Sequence, residues 1–298
     1  MNLRQLQEKG LIDYIKSISP KAGNNVLVGI GDDTELIRIN SKFGILYTAD
    51  MLIEGTHFTK AHKAFDICYK ALACSISDIA AKGGWPKFAS VSLGAPARLD
   101  FRFIKDLYRG MLKACRDYKL QIVTGDTVRS RDITIDVSML GTCGKQLPLR
   151  STAKLGDYIF VSGNLGNSYY KHGLRFSPRL KEAQFLVNNF RINSMMDISD
   201  GLSIDLNNIC HESNVGAVVY ADKIPLAGSS VNIQEAITEG EDFELLFTVN
   251  KNVAGEIFRI KDFKFSYIGN IVSKNCGVAI EYANGRKSKL LPKGYKHF

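Results

Sequence analysis

The sequence has no C-x-x-C pair, no phosphate-binding G-x-x-x-x-G-K-[ST] loop, no apolar run long enough to span a bilayer, and no short-period repeat, heptad array or low-complexity tract. Each absence removes a class of protein. Six cysteines (Cys68, Cys74, Cys115, Cys143, Cys210, Cys276) lie far apart, which argues against a zinc site and against a disulfide framework; they read as reduced thiols of a cytoplasmic protein. The opening MNLRQLQEKGLIDYIKSI scatters charges among its apolar residues, so neither a signal peptide nor a membrane anchor is expected there. Without a P-loop, any bound phosphates would have to be held by metal ions and backbone turns, which calls for several Asp residues rather than one Lys.

The chain has 298 residues, 45% of them hydrophobic, enough for two ordinary domains. A formal charge of +9 suits anionic ligands such as nucleotides. The basic stretch from Asn250 to the end lacks interleaved aromatic stacking positions, so it reads as a solvated surface rather than a nucleic-acid interface.

Hydrophobic periodicity predicts an N-terminal amphipathic helix through Leu3, Leu6, Ile12, Ile15 and Ile18, then strands at 26–30, 35–39 and 44–49. A helix from Phe65 to about Lys82, a strand at 88–95, a helix from Phe101 to Tyr118 and strands at 120–123 and 133–140 complete the first half. The polar GTCGKQLPLRSTAKLGD (Gly141 to Asp157) marks a domain crossover. Beyond it the reading is a strand at 158–163, helical segments broken at Pro178, a strand at MMDIS, a helix from Leu202 to Glu212, and strands near Val218, Phe243, Phe265 and Val278. The order is α/β or α+β.

Acidic residues beside glycines at strand ends are the unusual feature: Asp32 and Asp33 after GIG, Asp50, Asp78 in an apolar helix, Asp126 in TGDT, Asp197 and Asp200 in MMDISDG, and Glu241, Asp242 and Glu244 in EGEDFELLF. Singly, such residues are turn formers and helix N-caps. Asp78 reads either as part of a solvated stripe with Lys70 and Cys74, or as a metal-facing carboxylate with a cation nearby. In EGEDFELLF, alternation puts Phe243, Leu245 and Phe247 on one side of a strand and Asp242 and Glu244 on a wet face. Together the acids make chemical sense as a Mg²⁺ cradle for phosphates.

The segments GIGDDTELI, TADMLIEGTHF, YKALACSISDIAAKGGWP, TGDTVRS, LRSTAKLGDYIFVSGNLG, FSPRL, MMDISDGLSIDL, SNVGA, IPL, EGEDFELLF and KGYKHF occur in the order found in the thiamine-monophosphate kinase family, which the chain resembles over nearly its whole length. That family belongs to a superfamily with phosphoribosylaminoimidazole synthetase, selenophosphate synthetase and the hydrogenase maturation protein HypE. The resemblance implies a two-domain PurM-like fold: residues 1–145 as an N-terminal ATP/Mg-binding and dimerisation domain, and 146–298 as a C-terminal α/β domain. It also implies a homodimer, ATP as co-substrate, thiamine monophosphate as acceptor, several Mg²⁺ ions with K⁺ as a candidate further ion, and no nucleic-acid or membrane partner. Carried over by position, Asp33, Thr48, Ala49, Asp50, Asp78, Asp126, Asp197 and Asp200 are metal ligands, Ala49 through its carbonyl only. Tyr108, Gly125, Asp126, Arg150 and Ser199 contact the nucleotide; His57, Glu241 and Tyr295 hold the acceptor; Asp126, Asp200 and Arg150 carry catalysis.

The chain departs from the family pattern at several positions. Ala49 interrupts a usual Ser-Thr-Asp, Thr124 and Glu239 replace glycines, Phe243 replaces Tyr, Lys82 replaces Met, and the segment between Gly166 and Asp197 is short. Of the sister enzymes, selenophosphate synthetase would want a reactive residue near the N-terminus, where the first cysteine here is Cys68, and HypE a C-terminal cysteine, where this chain ends KGYKHF. Phosphoribosylaminoimidazole synthetase is the least excluded by such checks. From a different class, a non-catalytic basic nucleotide- or nucleic-acid-binding module would account for the charge but not for the acidic motifs.

Overall fold

A computed structural model describes residues 3–19, 23–40, 43–142, 144, 146–168 and 173–297. Cys143, Lys145 and Phe298, which figure in the sequence reading, lie outside the described residues. Two mixed sheets of seven strands organise the chain. The first runs β1 (Val26–Val28), β2 (Glu35–Asn40), β3 (Phe43–Ile53), β7 (Thr134–Thr142), β4 (Trp85–Ala95) and β5 (Gln121–Thr124), with β6 (Thr127–Arg129) also pairing β4. In the second the order is β14 (Lys287–Lys289), β13 (Val278–Glu281), β10 (Gly216–Tyr220), β12 (Phe265–Val272), β8 (Tyr158–Ser162), β11 (Leu245–Val249) and β9 (Ser194–Asp197).

Strand alternation explains how each sheet is covered. In β7, Ile135, Val137 and Met139 are fully buried while the residues between them are only half-buried, so one face meets the core. In the second sheet both faces are buried. Ile159, Val161, Met196 and Leu246 face one core with α5 (Leu202–Glu212), and Phe160, Met195, Leu245, Phe247 and Val249 face another with α4 (Leu180–Asn189).

The helix α2 (Ala64–Ala81) is apolar nearly all round, and 15 of its residues are buried. Such a helix has to be covered on every side. The first sheet and α3 (Phe101–Tyr118) cover it on one side, and β9 and α4 of the second sheet's unit cover it on the other. The helix α3 is amphipathic, begins at an Asp100 side chain that accepts from the Arg102 amide, and ends at Lys119 in the left-handed region. Phe176 and Phe243 cross the seam in the opposite sense. Their rings stack 3.8 Å apart inside the first unit's core.

Three expectations are corrected here. Of the two readings of the α2 stripe of Lys70, Cys74 and Asp78, the solvated one falls: Lys70 is 1% exposed, and its ammonium pairs with Glu241 rather than with Asp78. Residues 239–244 are not strand, because Glu241 and Phe243 take positive φ (66° and 49°) and β11 starts only at Leu245. Nor do Asp242 and Glu244 face water. Both are buried: Asp242 accepts from the Gly166 amide, and Glu244 receives Ser162 Oγ and a two-pronged Arg179. The strand reading failed because alternation alone does not reveal that a buried carboxylate has a full set of donors.

The described cysteines are free thiols, and burial pushes Cys68 and Cys210 up to about 12, as expected of inert packing residues. Among the described residues no helix is long and apolar enough to cross a membrane.

Gly110 fixes how closely α3 approaches α2, since a Cβ there would sit 1.9 Å from the Phe65 carbonyl oxygen. The obstruction is backbone, so a methyl group forces the helices apart. Gly110→Ala is expected to cost about 1–3 kcal/mol, read as a lower urea midpoint; an unchanged midpoint would contradict the close approach.

Candidate active site

Carboxylates converge where α2 meets both sheets. One oxygen each from Asp33, Asp78 and Asp197 lies within 4.8 Å of the others. Each reaches the seam for a local reason. Asp33 follows Gly31, whose φ of 117° turns the chain after the Ile30 bridge, and Asp32 braces the turn by accepting from the Asp33 amide at 2.9 Å. Asp78 projects from α2 and accepts from Thr48 Oγ1 at 2.6 Å. Asp197 ends β9 and accepts from Ser77 Oγ, also at 2.6 Å. On β3 the two-residue period turns Thr48 and Asp50 inward and Ala49 to the opposite face. Ser75 of α2 then donates to Asp50 at 2.6 Å.

Two cations answer this charge. Lys82 is completely buried, with its ammonium 2.5 Å from both Asp32 Oδ1 and Asp33 Oδ2. Arg150 donates through Nε to Asp33 Oδ1 at 3.0 Å and also through Nη2, while its amide donates to Asp32. Burial opposes ionisation of Asp32, yet Lys82 and Arg150 hold its carboxyl below the usual range. Burial likewise opposes charge on Lys82, and Asp33 and Asp32 overcome it. The other acids are not so balanced. Burial, then Asp50, Asp197 and Asp33, pushes Asp78 well up; burial and Asp33 push Asp197 up to about 7; and burial with Asp136 raises Asp50.

The trio fits a hard divalent cation. Its donors are all carboxylate oxygens, and Asp33 Oδ2 is buried without a hydrogen-bond donor aimed at it, although the Lys82 ammonium touches it.

Asp200 and Asp126 stand outside the trio. Among the described residues no cation pairs with Asp200; burial and Glu8 push it up to about 6, and its amide donates to the fully buried Asp205. Exposed Asp126 accepts from the Thr127 amide and lines a cavity of about 290 Å³ with Asp136, Ser92 and Ser130 on the first sheet. A larger hollow of about 570 Å³ adjoins it, lined by Arg98, Arg129 and Arg131. None of the trio lines either cavity. Gly125 is required beside Asp126, because a Cβ there would lie 2.0 Å from the Val91 carbonyl oxygen. Tyr108 lies exposed on α3, and Ser199 accepts the Glu241 amide at 2.7 Å.

His57, Glu241 and Tyr295 come together from three distant stretches. The His57 ring accepts from the Ile53 amide and lies 6.5 Å from Tyr295 and 5.5 Å from His297. Burial, with His297 and Lys70 beside it, lowers its pKa, so the imidazole is neutral near pH 7. Lys70 reaches from α2 to Glu241 at 2.6 Å and to the His57 carbonyl at 3.3 Å. The terminal strap is held down where the Tyr295 amide donates to the Asp200 carbonyl, and it passes so close that a Cβ on Gly294 would lie 2.2 Å from that oxygen. His297 and Asp205 escaped the sequence reading, which placed Lys70 beside Asp78 and missed its pairing with Glu241. The signal for Lys70 was a charge in an otherwise apolar helix, and for His297 its i+2 spacing from Tyr295; Asp205 looked like an ordinary first-turn acid.

These features define a class. The AIR synthase related protein, N-terminal domain, family matches residues 31–143, and the AIR synthase related protein, C-terminal domain, family matches residues 171–280. Thiamine-monophosphate kinase of Aquifex aeolicus (strain VF5) is 34% identical, with the whole of both chains covered. That of Bacillus subtilis (strain 168) is 33% identical, covering 96% of this chain and 98% of the relative. A solved structure of AaThiL complexed with AMPPCP and TMP superposes with a TM-score of 0.87 at 31% identity, covering 100% of this chain and 99% of that one. The chain belongs to the thiamine-monophosphate kinase family and is an ATP-dependent phosphotransferase.

The raised carboxyls link pH to stability. Because Asp78, Asp197 and Asp205 have folded pKa values above their ordinary ones through burial, the folded state holds extra protons, and stability falls as pH rises from about 4 through about 7. In EDTA the melting temperature is therefore expected to be lower at pH 8 than at pH 6, and Asp197→Asn should narrow that difference. Equal values at both pH values would contradict the packing of uncompensated acids described here.

Proposed function

We propose that the chain transfers the γ-phosphoryl group of ATP directly, in line, to the phosphate of thiamine monophosphate, giving thiamine diphosphate. The observation that carries this reading is the trio Asp33, Asp78 and Asp197 at the seam between the two sheets, in a chain that also brings His57, Glu241 and Tyr295 together. The likeness to AaThiL complexed with AMPPCP and TMP supports the choice of both substrates.

Mg²⁺ would be held by Asp33, Asp78 and Asp197, with Thr48, Asp50, Asp126, Asp200 and the Ala49 carbonyl serving further ions that arrive with the nucleotide, K⁺ being a candidate for one. Bound there, the ions supply charge neutralisation to the phosphates. The protein's own groups do the rest. Arg150 has its guanidinium on Asp33 and its side chain 21% exposed, so it can exchange part of that pairing for a phosphate oxygen. Tyr108, Gly125 and Ser199 are proposed to contact the nucleotide. His57, Tyr295 and Glu241 are proposed to hold the acceptor, Tyr295 offering a π face to a cationic thiazolium and Glu241 a carboxylate kept in place by Lys70. The acceptor phosphate is already ionised, so orientation and charge neutralisation carry the acceleration and no enzyme nucleophile is needed.

A domain division at 145/146 is supported by a first sheet ending at Thr142 and a second beginning at Tyr158. Pairing of the N-terminal units in a homodimer is supported by Met51, Ile53 and Phe88, which are exposed on the first sheet away from α2. The proposal includes no nucleic-acid or membrane partner and a cytoplasmic location, the latter in accord with the free thiols of the described cysteines.

Incubation with MgATP and a panel of phosphorylated acceptors is expected to give thiamine diphosphate from thiamine monophosphate. Asp197→Asn and Asp126→Asn should each lower that turnover by about 10²–10³-fold with the fold retained. ATP binding without product, or near-wild-type turnover in either variant, would overturn the reading.

A further inference from the structure

Lys82, like Lys70, is among the largest fully buried side chains in the described structure. It follows the last residue of α2, where helix carbonyls favour a cation. Besides touching Asp32 and Asp33, its ammonium donates to the Met195 carbonyl at 2.8 Å and the Pro148 carbonyl at 3.4 Å. These contacts reach every carrier of the carboxylate trio. Asp78 lies four residues back on the same helix, Asp33 is touched directly, and Met195 stands two residues before Asp197 on β9. Arg150 occupies the other oxygen of Asp33, so both oxygens of that carboxylate already face protein cations.

We propose that Lys82 is a fixed counter-cation and positioning residue of the carboxylate trio, one that keeps free divalent ions out of the site until nucleotide phosphates bring them in. The physical reason is repulsion. Two positive charges sharing the Asp33 carboxylate, whose side chain and that of Lys82 are closed to water, repel strongly, and only the added negative charge of a polyphosphate offsets that repulsion. The ammonium stands in for a metal ion in the ligand-free protein. It neutralises Asp32 and Asp33, ties the turn that bears Asp33 to β9, and makes the folded state independent of bound metal. This inference rests on the trio holding a divalent ion.

The test compares wild type with Lys82→Met, which keeps the length of the side chain, Lys82→Gln, which keeps a donor for Met195, and Lys82→Arg, which keeps the charge. Mg²⁺ is titrated calorimetrically and by thermal shift, without nucleotide and with AMPPCP. Wild type and Lys82→Arg should bind free Mg²⁺ weakly and bind it well only with AMPPCP. The two neutral variants should bind free Mg²⁺ at least tenfold more tightly than wild type and gain more melting temperature from it. If the neutral variants fold only when Mg²⁺ is supplied, that also supports the inference. Free-Mg²⁺ affinity unchanged or weakened in both neutral variants would overturn it, as would failure of both to fold even with Mg²⁺, since the ammonium would then do something the ion cannot. If AMPPCP binding to wild type is indifferent to Mg²⁺, the metal reading itself falls, an outcome distinct from either of these.

Discussion

The burial of negative charge against α2, with Lys82 and Arg150 as its internal counter-charges, is the constraint on which the rest of the molecule depends. Asp32 and Asp33 come from the turn before β2, Lys82 from the end of α2, Arg150 from the connection between the sheets, and Asp197 from the edge of the second sheet. None of these groups could be buried alone, because an uncompensated internal charge costs several kcal/mol. The Arg150–Asp33 pair, the Lys82 bond to the Met195 carbonyl and the Ser77 bond to Asp197 therefore require both halves of the chain to be present and in register. The apolar contacts follow the same seam, with Phe176 and Phe243 entering the first core and Ala80 joining the core beneath the second sheet.

The balance is incomplete, and the incompleteness is where function enters. Asp78 and Asp197 accept hydrogen bonds from Thr48 and Ser77, but no cation pairs with them among the described residues, and burial keeps their carboxyls raised. The protein holds a partly unmet demand for positive charge at the point where a metal-bound polyphosphate would supply it. Nearby, Lys70 plays a different part. It pairs with Glu241, which stands in a left-handed backbone position beside His57, and so couples α2 to the loop that bears Glu241.

Much of this was legible in the sequence. The long helices at 64–81 and 101–118 follow from strong periodicity and from the Asp100 cap, and the strands of the first sheet from their β-branched runs. The acids at glycine turns stood out because a net-basic chain has little other reason to embed them in apolar surroundings. What could not be read were the partners. Periodicity cannot tell a solvated Lys70 from a buried one that reaches a residue 171 positions away, and alternation cannot tell a wet Glu244 from one gripped by Arg179. Lys82 was visible only as an unusual residue in its place. Its role depends on the fold that brings Asp32, Asp33 and Met195 around it.

The central claim is that the three carboxylates at the seam form a divalent-cation site for a nucleotide phosphate. Anomalous diffraction from crystals grown with Mn²⁺ and AMPPCP tests it most directly. The account predicts a manganese peak within coordinating distance of oxygens from Asp33, Asp78 and Asp197, bridged to the nucleotide phosphates. A bound nucleotide with no manganese at those three residues would contradict it.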